Sequence, residues 1–422
     1  MTDAAQLCDR FGECTRAVTD SRTEVEGAMF FALHGASFDG NDFAADVLRR
    51  GARWAVVDSD RPIELNPELA KRMIRVGDTL EALQALAREH RRRLALPIVA
   101  VAGSNGKTTT KELAACVLSE KYAVAATRGN LNNHIGVPLT LLSMTRDTQI
   151  GVVEMGASAC GEIALLASVA EPDCGILTNI GRSHLEGFGG VEGIRRGKGE
   201  LYDFLAASGG CAFVPREDGV LMQMAAERPA LKTECYSVSL ADGVKSNLEG
   251  DYNRMNIAAA LAIGRHFGVE QQLMERAVAK YVPSNNRSQR VESGRNTLIV
   301  DCYNANPSSM AVAIENLRRD SARHRMMILG DMLELGEWSA AEHERVAAAA
   351  ARVDDVQVIS VGGCFAEAAR TAAAEMVAEG RWICFGTTDE AAKHLAENPP
   401  SGFRILVKGS HGWALEKLVP LL

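Results

Sequence analysis

The sequence predicts an α/β protein of three domains. Three observations carry that prediction: successive blocks of apolar strand-like runs, helical segments between the runs of the second and third blocks, and a glycine-rich turn set between a strand and a helix. Length agrees, because 422 residues exceed a single core when domains hold about 100–200 residues each.

The first block, residues 1–82, is expected to be a small α/β domain. "AMFFAL" (28–33) and "WAVVDS" (54–59) are apolar enough for buried strands, and "HGASFDGND" between them is turn chemistry. A helical pattern follows in "TLEALQALAREHRRRL", with Leu80, Leu83 and Leu86 at helical spacing. It ends in Arg91-Arg92-Arg93, which reads as a solvated terminus suited to the helix dipole.

The second block, 83–296, holds "IVAVAG" (98–103), "IGVVEMG" (150–156), "CGILTNIG" (174–181) and "GCAFVP" (210–215). Apolar, β-branched runs alternating with helices predict a mainly parallel sheet. The block closes on the polar junction "YVPSNNRSQR" (281–290), expected to act as a hinge. The third block, 297–422, repeats the rhythm with "TLIVDCY", "MMILGDM", "VQVISVG", "RWICFG" and "FRILVKG", which predicts a Rossmann-like, doubly wound domain.

Composition excludes some classes. With 47% hydrophobic and 24% charged residues the chain is ordinary for a soluble globular protein, and a net charge of −8 argues against a general nucleic-acid binder. An anionic ligand must therefore be held by local basic groups and backbone N–H donors. Ten cysteines stand scattered without a C-x-x-C pair. Cys116, Cys174 and Cys302 sit in apolar runs and read as small core side chains. That usage, no basic leader and no apolar run of transmembrane length together predict a cytoplasmic protein without membrane insertion.

The chemistry concentrates around "PIVAVAGSNGKTTTKELAACVLSE" (97–120). Backbone N–H groups of Gly103, Ser104, Asn105 and Gly106, followed by a helix N-terminus, form a concave donor site for phosphate. Lys107 adds a positive charge near the transferred phosphate. Thr108 offers a hydroxyl to Mg²⁺, and Thr109 continues the run. The usual pattern G-x-x-x-x-G-K-[ST] would begin on Val101, so this loop is shorter than most. A metal needs a carboxylate, and Glu154 stands at the C-terminal edge of a predicted strand, where open α/β sheets bind ligands. His184 follows the next strand at the same edge; a lone histidine is usually structural, and its place beside Glu154 makes a metal role an equal reading.

The loop G-S-N-G-K-T-T, together with "TRGNLNNHIGVPLTLL", "EMGAS", "NIGRSHLEGFG", "DCYNANPSSM", "LGDMLELG" and "LVKGS", resembles the Mur ligase family, which uses this short spacing. The N-terminal "DSRTEVEGAMFFALHGASFDGNDF" fits it too, so the resemblance spans nearly the whole chain. It implies an N-terminal domain for a UDP-sugar, a central ATPase and a C-terminal domain for an incoming amine. Within the family it points to the members that join D-alanyl-D-alanine to UDP-N-acetylmuramoyl-tripeptide, with ATP converted to ADP and phosphate. A monomer is expected.

The resemblance also implies roles. Thr108 and Glu154 would serve one Mg²⁺, and His184 and Lys198 a second, with Lys198 carbamylated because a free ammonium would repel metal. Lys107, Glu154, His184 and Lys198 form the catalytic set. Asp301 and Asn304 look like ATP-side and amine-side contacts, with Asn306 beside them. Asn253, Asn256, Asn286 and Arg287 fall near the adenine or a hinge, although caps and turns are the commoner use of asparagine. Asp20, Ser21 and Arg22 are assigned to the uridine nucleotide, and Thr127, Asn130, Asn132 and Asn133 to the sugar-peptide. The sequence departs from the family pattern at Gly197 and Gly199, which flank Lys198 and suggest an irregular helix, and at Tyr252 and His411. Two rivals remain: another amide ligase of the superfamily, either folylpolyglutamate synthase or a Mur ligase adding a different amino acid, and a nucleotide-binding scaffold without catalysis.

Overall fold

The structure, a computed structural model, describes residues 3–59, 65–248, 250, 252–283 and 289–422. Residues 284–288 of the expected hinge, Asn286 and Arg287 among them, lie outside the described residues. Three sheets organise the chain. The first is parallel, in the order β1 (Ala17–Val18), β2 (Met29–Phe31), β3 (Trp54–Val57), β4 (Met73–Arg75).

The central sheet contains β5 (Ile98–Ala102), β6 (Val124–Ala126), β7 (Ile150–Glu154), β8 (Cys174–Leu177), β9 (Cys211–Pro215) and β10 (Lys232–Tyr236). It is parallel throughout, in the order β10-β9-β8-β5-β7-β6. All five residues of β5 are buried, as a central parallel strand covered on both faces requires. The chain turns to opposite sides of β5 to form β7 and β8. The C-terminal end of β5 is thus the switch point at which such sheets bind ligands.

The third sheet contains β11 (Gln289–Glu292), β12 (Thr297–Asp301), β13 (Arg325–Gly330), β14 (Val356–Val361), β15 (Trp382–Phe385) and β16 (Arg404–Lys408). Its order is β11-β12-β16-β13-β14-β15, parallel except for the antiparallel edge strand β11. The α/β fold expected from the sequence is present, and the third sheet is mixed. The expected block edges move with it: residue 82 falls inside the single helix Thr79–Leu94, and β11 joins the third sheet ahead of residue 297.

Two local expectations need correction. The three arginines ending the Thr79–Leu94 helix are not merely solvated. Arg91 donates to the carbonyl oxygens of Ala170 and Glu171, Arg92 pairs with Glu171, and Arg93 reaches Asp9 at 2.6 Å. Each guanidinium thereby ties neighbouring elements together. The helix carrying Lys198 is also regular, running unbroken over Val191–Ser208. Its glycines permit close approach instead of irregularity. A Cβ on Gly197 would meet the Phe188 ring at 2.5 Å, one on Gly193 the Phe188 carbonyl at 1.7 Å, and one on Gly199 the Arg228 guanidinium at 2.9 Å. Close packing outweighs the helix-propensity cost of ~1 kcal/mol per glycine.

Candidate active site

The loop after β5 takes the shape its glycines allow. Gly103 has φ +125° and Gly106 φ +81°. A Cβ on Gly103 would lie 2.2 Å from Thr178 Oγ1, and one on Gly106 2.6 Å from Asn256 Oδ1. Both positions therefore require glycine on conformational and steric grounds. The helix Lys107–Ser119 begins directly after Gly106, so its N-terminal N–H groups face the loop's concavity.

The loop is braced from the end of β8. Asn105 N–H donates to Asn179 Oδ1 at 3.1 Å, while Thr178 Oγ1 and Asn179 Nδ2 donate to the Asn105 carbonyl at 2.6 and 3.0 Å. Ser104 Oγ donates to the Gly181 carbonyl. Lys107 Nζ folds back over the loop, donating to the Gly103 and Ser104 carbonyls at 3.0 Å each. Neither Thr178 nor Asn179 was singled out from sequence. Their only signal was position, just beyond a predicted strand at the same sheet edge.

Glu154 ends β7 beside the loop and is 1% exposed. Its Oε1 accepts from Thr108 Oγ1 at 3.2 Å and from Asn132 Nδ2 at 2.8 Å, while its Oε2 is buried without a hydrogen-bond partner. A buried carboxylate oxygen left without a donor is costly. Oriented by a threonine hydroxyl at a phosphate loop, it fits a hard divalent cation.

Lys198 is 1% exposed, and its Nζ donates to the Ala157 carbonyl at 2.8 Å. No carboxylate among the described residues makes ion-pair contact with it. Burial pushes its pKa well below the lysine range, and the charge of Lys107 pushes the same way. His184 caps the short helix Leu185–Phe188 in the left-handed conformation, φ +53°. Its Nδ1 makes an ion-pair contact with Glu334 of the third domain.

A cavity of about 850 Å³ joins these groups to the C-terminal edge of the third sheet. Asp301 and Asn304 line it after β12, with Tyr303 between them. Asp301 is already neutralised, because Lys408 at the end of the neighbouring strand β16 donates to its Oδ2 at 2.5 Å. Asn306 caps the helix Pro307–Arg319 and sends its Nδ2 across to Asn105 Oδ1 at 2.7 Å, so the third domain touches the phosphate loop directly. The Arg182 N–H donates to Ser308 Oγ at 2.8 Å, and the Arg182 side chain pairs with buried Glu342. Sequence reasoning singled out Asn105 and Asn306 but missed the Arg182–Ser308 and Arg182–Glu342 pairs, because none of those partners has a meaning until the two sheets face each other.

Other expected site residues divide. Asn132 and Asn133 line the cavity; Asn133 Oδ1 also accepts from the Ile135 and Gly136 N–H groups. Thr127 is 2% exposed, and its hydroxyl accepts from the Glu154 N–H, so it holds the end of β7 in place and does not line the cavity. Asn130 is exposed on the preceding turn, outside the cavity wall. Asn256 lines the cavity beneath Gly106 and accepts from Thr110 Oγ1, while Asn253 sits behind it as the acceptor of Asn256 Nδ2 at 2.8 Å. Asp20, Ser21 and Arg22 lie apart, on a turn of the first domain. The Arg22 guanidinium beside Asp20 holds that carboxyl low, at about 2.

One acid–histidine–thiol trio, Asp331, His343 and Cys364, also brings its potential ligand atoms within 4.8 Å. Both nitrogens of His343 are committed: Nε2 accepts from the Met332 N–H at 2.9 Å, and Nδ1 reaches the Ser339 carbonyl at 2.8 Å. Asp331 accepts from the Cys364 and Phe365 N–H groups. The trio anchors a turn and leaves no imidazole lone pair for a metal.

The chain matches the Mur ligase family, catalytic domain over residues 16–91, the Mur ligase middle domain over 101–246 and the Mur ligase, glutamate ligase domain over 286–411. It is 32% identical to the UDP-N-acetylmuramoyl-tripeptide–D-alanyl-D-alanine ligase of Bacillus subtilis (strain 168), covering 95% of this chain and 91% of that protein. The chain belongs to the Mur ligase family.

The same-named ligase of Escherichia coli (strain K12) is also 32% identical, over 96% of this chain and 92% of its own. Among solved structures, MurF from Acinetobacter baumannii superposes with a TM-score of 0.86 at 29% identity, covering 99% and 98% of the two chains. MurF ligase from Thermotoga maritima, solved in complex with ADP, gives 0.82 at 27% identity over 98% and 97%. The three-domain Mur ligase architecture therefore extends over the whole described chain. Among the described residues, no helix is long and apolar enough to cross a membrane.

Proposed function

We infer that this Mur ligase is the ATP-dependent enzyme that joins D-alanyl-D-alanine to UDP-N-acetylmuramoyl-tripeptide in peptidoglycan precursor synthesis. The observation that carries the reading is the single cavity in which the braced phosphate loop, the buried Glu154 and the third domain's Asp301, Asn304 and Asn306 meet. Full-length similarity to ligases of that name supports it.

A carboxylate at neutral pH is a poor electrophile. In the reaction, an oxygen of the tripeptide's terminal carboxylate attacks the γ-phosphorus of ATP, the β–γ bridge breaks and ADP leaves. The dipeptide amine then attacks the acyl carbon, the C–O bond to phosphate breaks, and phosphate and a proton depart. The N–H groups that open the helix Lys107–Ser119, together with Lys107, would hold the phosphates and offset charge on the transferred group, while the Ser104 and Asn105 N–H groups are spent on bracing the loop against Asn179. Thr108 and Glu154 would hold one Mg²⁺, which the orphaned Glu154 oxygen fits. His184 and Lys198 would hold a second, with Lys198 as its carbamate. Bound Mg²⁺ supplies charge neutralisation at the phosphates.

Asn132 and Asn133 are proposed to face the sugar-peptide, Asn304 the amine side, and Asp20, Ser21 and Arg22 the uridine nucleotide. Asn256 supports the loop from below. A cytoplasmic location suits substrates of this kind. ADP release tests the reading. Turnover should need ATP, UDP-N-acetylmuramoyl-tripeptide and D-alanyl-D-alanine together. Lys107→Ala should lower it about 10³-fold with folding intact. Turnover without the dipeptide, or a near-normal Lys107→Ala enzyme, overturns the assignment.

A further inference from the structure

We propose that Glu334, carried by the third domain, is the carboxylate that orients His184 of the central domain, so that the cation-binding form of His184 is complete only when the two domains are docked. The inference rests on the reading of His184 as a cation ligand.

A histidine that binds metal through one nitrogen needs an acceptor for the N–H on the other. That partner fixes the tautomer and the direction of the ring. His184 Nδ1 is shut off from solvent, and the contact the structure gives it is Glu334 Oε2. Glu334 Oε2 is in direct contact with His184 Nδ1, placed to accept from it when that nitrogen carries the proton.

Elimination points the same way. The other carboxylates on the cavity wall are engaged elsewhere. Glu154 takes Thr108 and Asn132, Glu162 accepts from the Ser158 N–H, Asp218 caps the helix Gly219–Ala226, and Asp301 holds Lys408. Glu334 is the acid that remains.

Backbone geometry adds a separate argument. His184 and Glu334 are two of only six non-glycine residues with positive φ among the described residues, at +53° and +60°. Such conformations persist where their surroundings over-determine them. The turn bearing Glu334 is pinned within its own domain, by Met332 N–H on His343 Nε2 and by Leu333 N–H on Ser410 Oγ at 3.2 Å. From the central domain, the Glu186 N–H donates to the Glu334 carbonyl at 3.4 Å. The buried His343–Asp331 arrangement thus has a purpose: it aims Glu334. Because the orienting carboxylate arrives from another domain, cation affinity at His184 and domain docking are linked, and each strengthens the other.

The test is Mn²⁺ binding to the full-length protein with a non-hydrolysable ATP analogue present, followed by electron paramagnetic resonance, for wild type, His184→Ala, Glu334→Gln and Glu334→Asp. Wild type should show two classes of Mn²⁺ and His184→Ala one. Glu334→Gln should weaken the His184 class about 10–100-fold while leaving the other within about twofold, and Glu334→Asp should recover part of the loss. Nitrogen-15 histidine spectra should show the Nδ1–H tautomer of His184 in wild type and a mixture in Glu334→Gln. If Glu334→Gln binds both classes as wild type does while His184→Ala loses one, this inference fails and the reading of His184 stands. If His184→Ala binds as wild type does, the reading of His184 fails.

Discussion

Lys198 and Lys408 are each 1% exposed, and their surroundings are opposite. Lys408 ends β16 directly beside Asp301 on β12, with Nζ 2.5 Å from a carboxylate oxygen. Lys198 lies within a helix, its Nζ on one backbone carbonyl and 5.0 Å from the centre of the Phe188 ring. A buried ammonium is tolerable when a carboxylate faces it and expensive when none does. Lys408 is therefore built as half of an ion pair, whereas burial without an ion-pair partner favours the neutral amine at Lys198. A neutral amine is the form that attacks CO₂, giving a carbamate and releasing a proton. The contrast supplies a physical reason for the proposed modification that does not depend on family likeness.

The sharpest way to break the comparison is in catalysis. Lys198→Ala should lower turnover by about 10² or more, since a cation ligand worth several kcal/mol disappears. Lys198→Arg should do no better, because guanidinium stays cationic and cannot be carbamylated. Acetate added to the alanine variant should restore part of the rate. A fully active arginine variant would make Lys198 an ordinary buried lysine.

Stability separates the two sites next. Lys408→Met leaves Asp301 facing a thioether and should cost toward the lower end of ~3–5 kcal/mol, given that the Asp301 side chain keeps 18% exposure. Lys198→Met removes a buried amine that has no ion-pair partner, so its urea midpoint should equal or exceed that of wild type. Urea unfolding of both variants checks this, and a Lys198→Met protein as damaged as Lys408→Met would erase the distinction.

The smallest effect is a slope. The folded-state pKa of Lys198 lies below its unfolded value, so between the two the unfolded chain binds more protons, and stability contributed at this site rises with pH. In CO₂-free buffer, wild type should gain stability relative to Lys198→Met as pH increases from neutrality toward 10, by at most about 1.4 kcal/mol per pH unit. A flat difference across that window would show that Lys198 is charged in the folded protein.

Much of this was legible in the sequence where the signal is local. Apolar β-branched runs marked the buried strands at the heart of the central and third sheets, and Gly103 through Thr108 announced a phosphate loop between a strand and a helix. The strands that escaped notice are short or polar. β6 is half-buried along its length, β10 exposes its first residues, and β11 alternates half-buried and exposed positions at a sheet edge. These three edge strands bury too little to leave an apolar imprint, unlike β15, the edge strand that "RWICFG" marked. Thr127 was assigned to substrate because composition cannot distinguish a hydroxyl facing a ligand from one accepting a buried backbone N–H.

By itself, then, the sequence determined the α/β class, the place of the phosphate loop, the candidacy of Glu154 and His184, and through long motifs the family, whose likeness implies the candidacy of Lys198. These rest on contacts between near neighbours in the chain, where residue type and spacing carry the information. The tertiary structure alone decided which of two buried lysines has a counter-charge, why glycines flank Lys198, and that Asn306, Ser308, Glu334 and Glu342 of the third domain reach the central one. Those facts depend on pairs far apart in the chain, which local propensity does not encode and only the packing of one sheet edge against another brings within hydrogen-bond range.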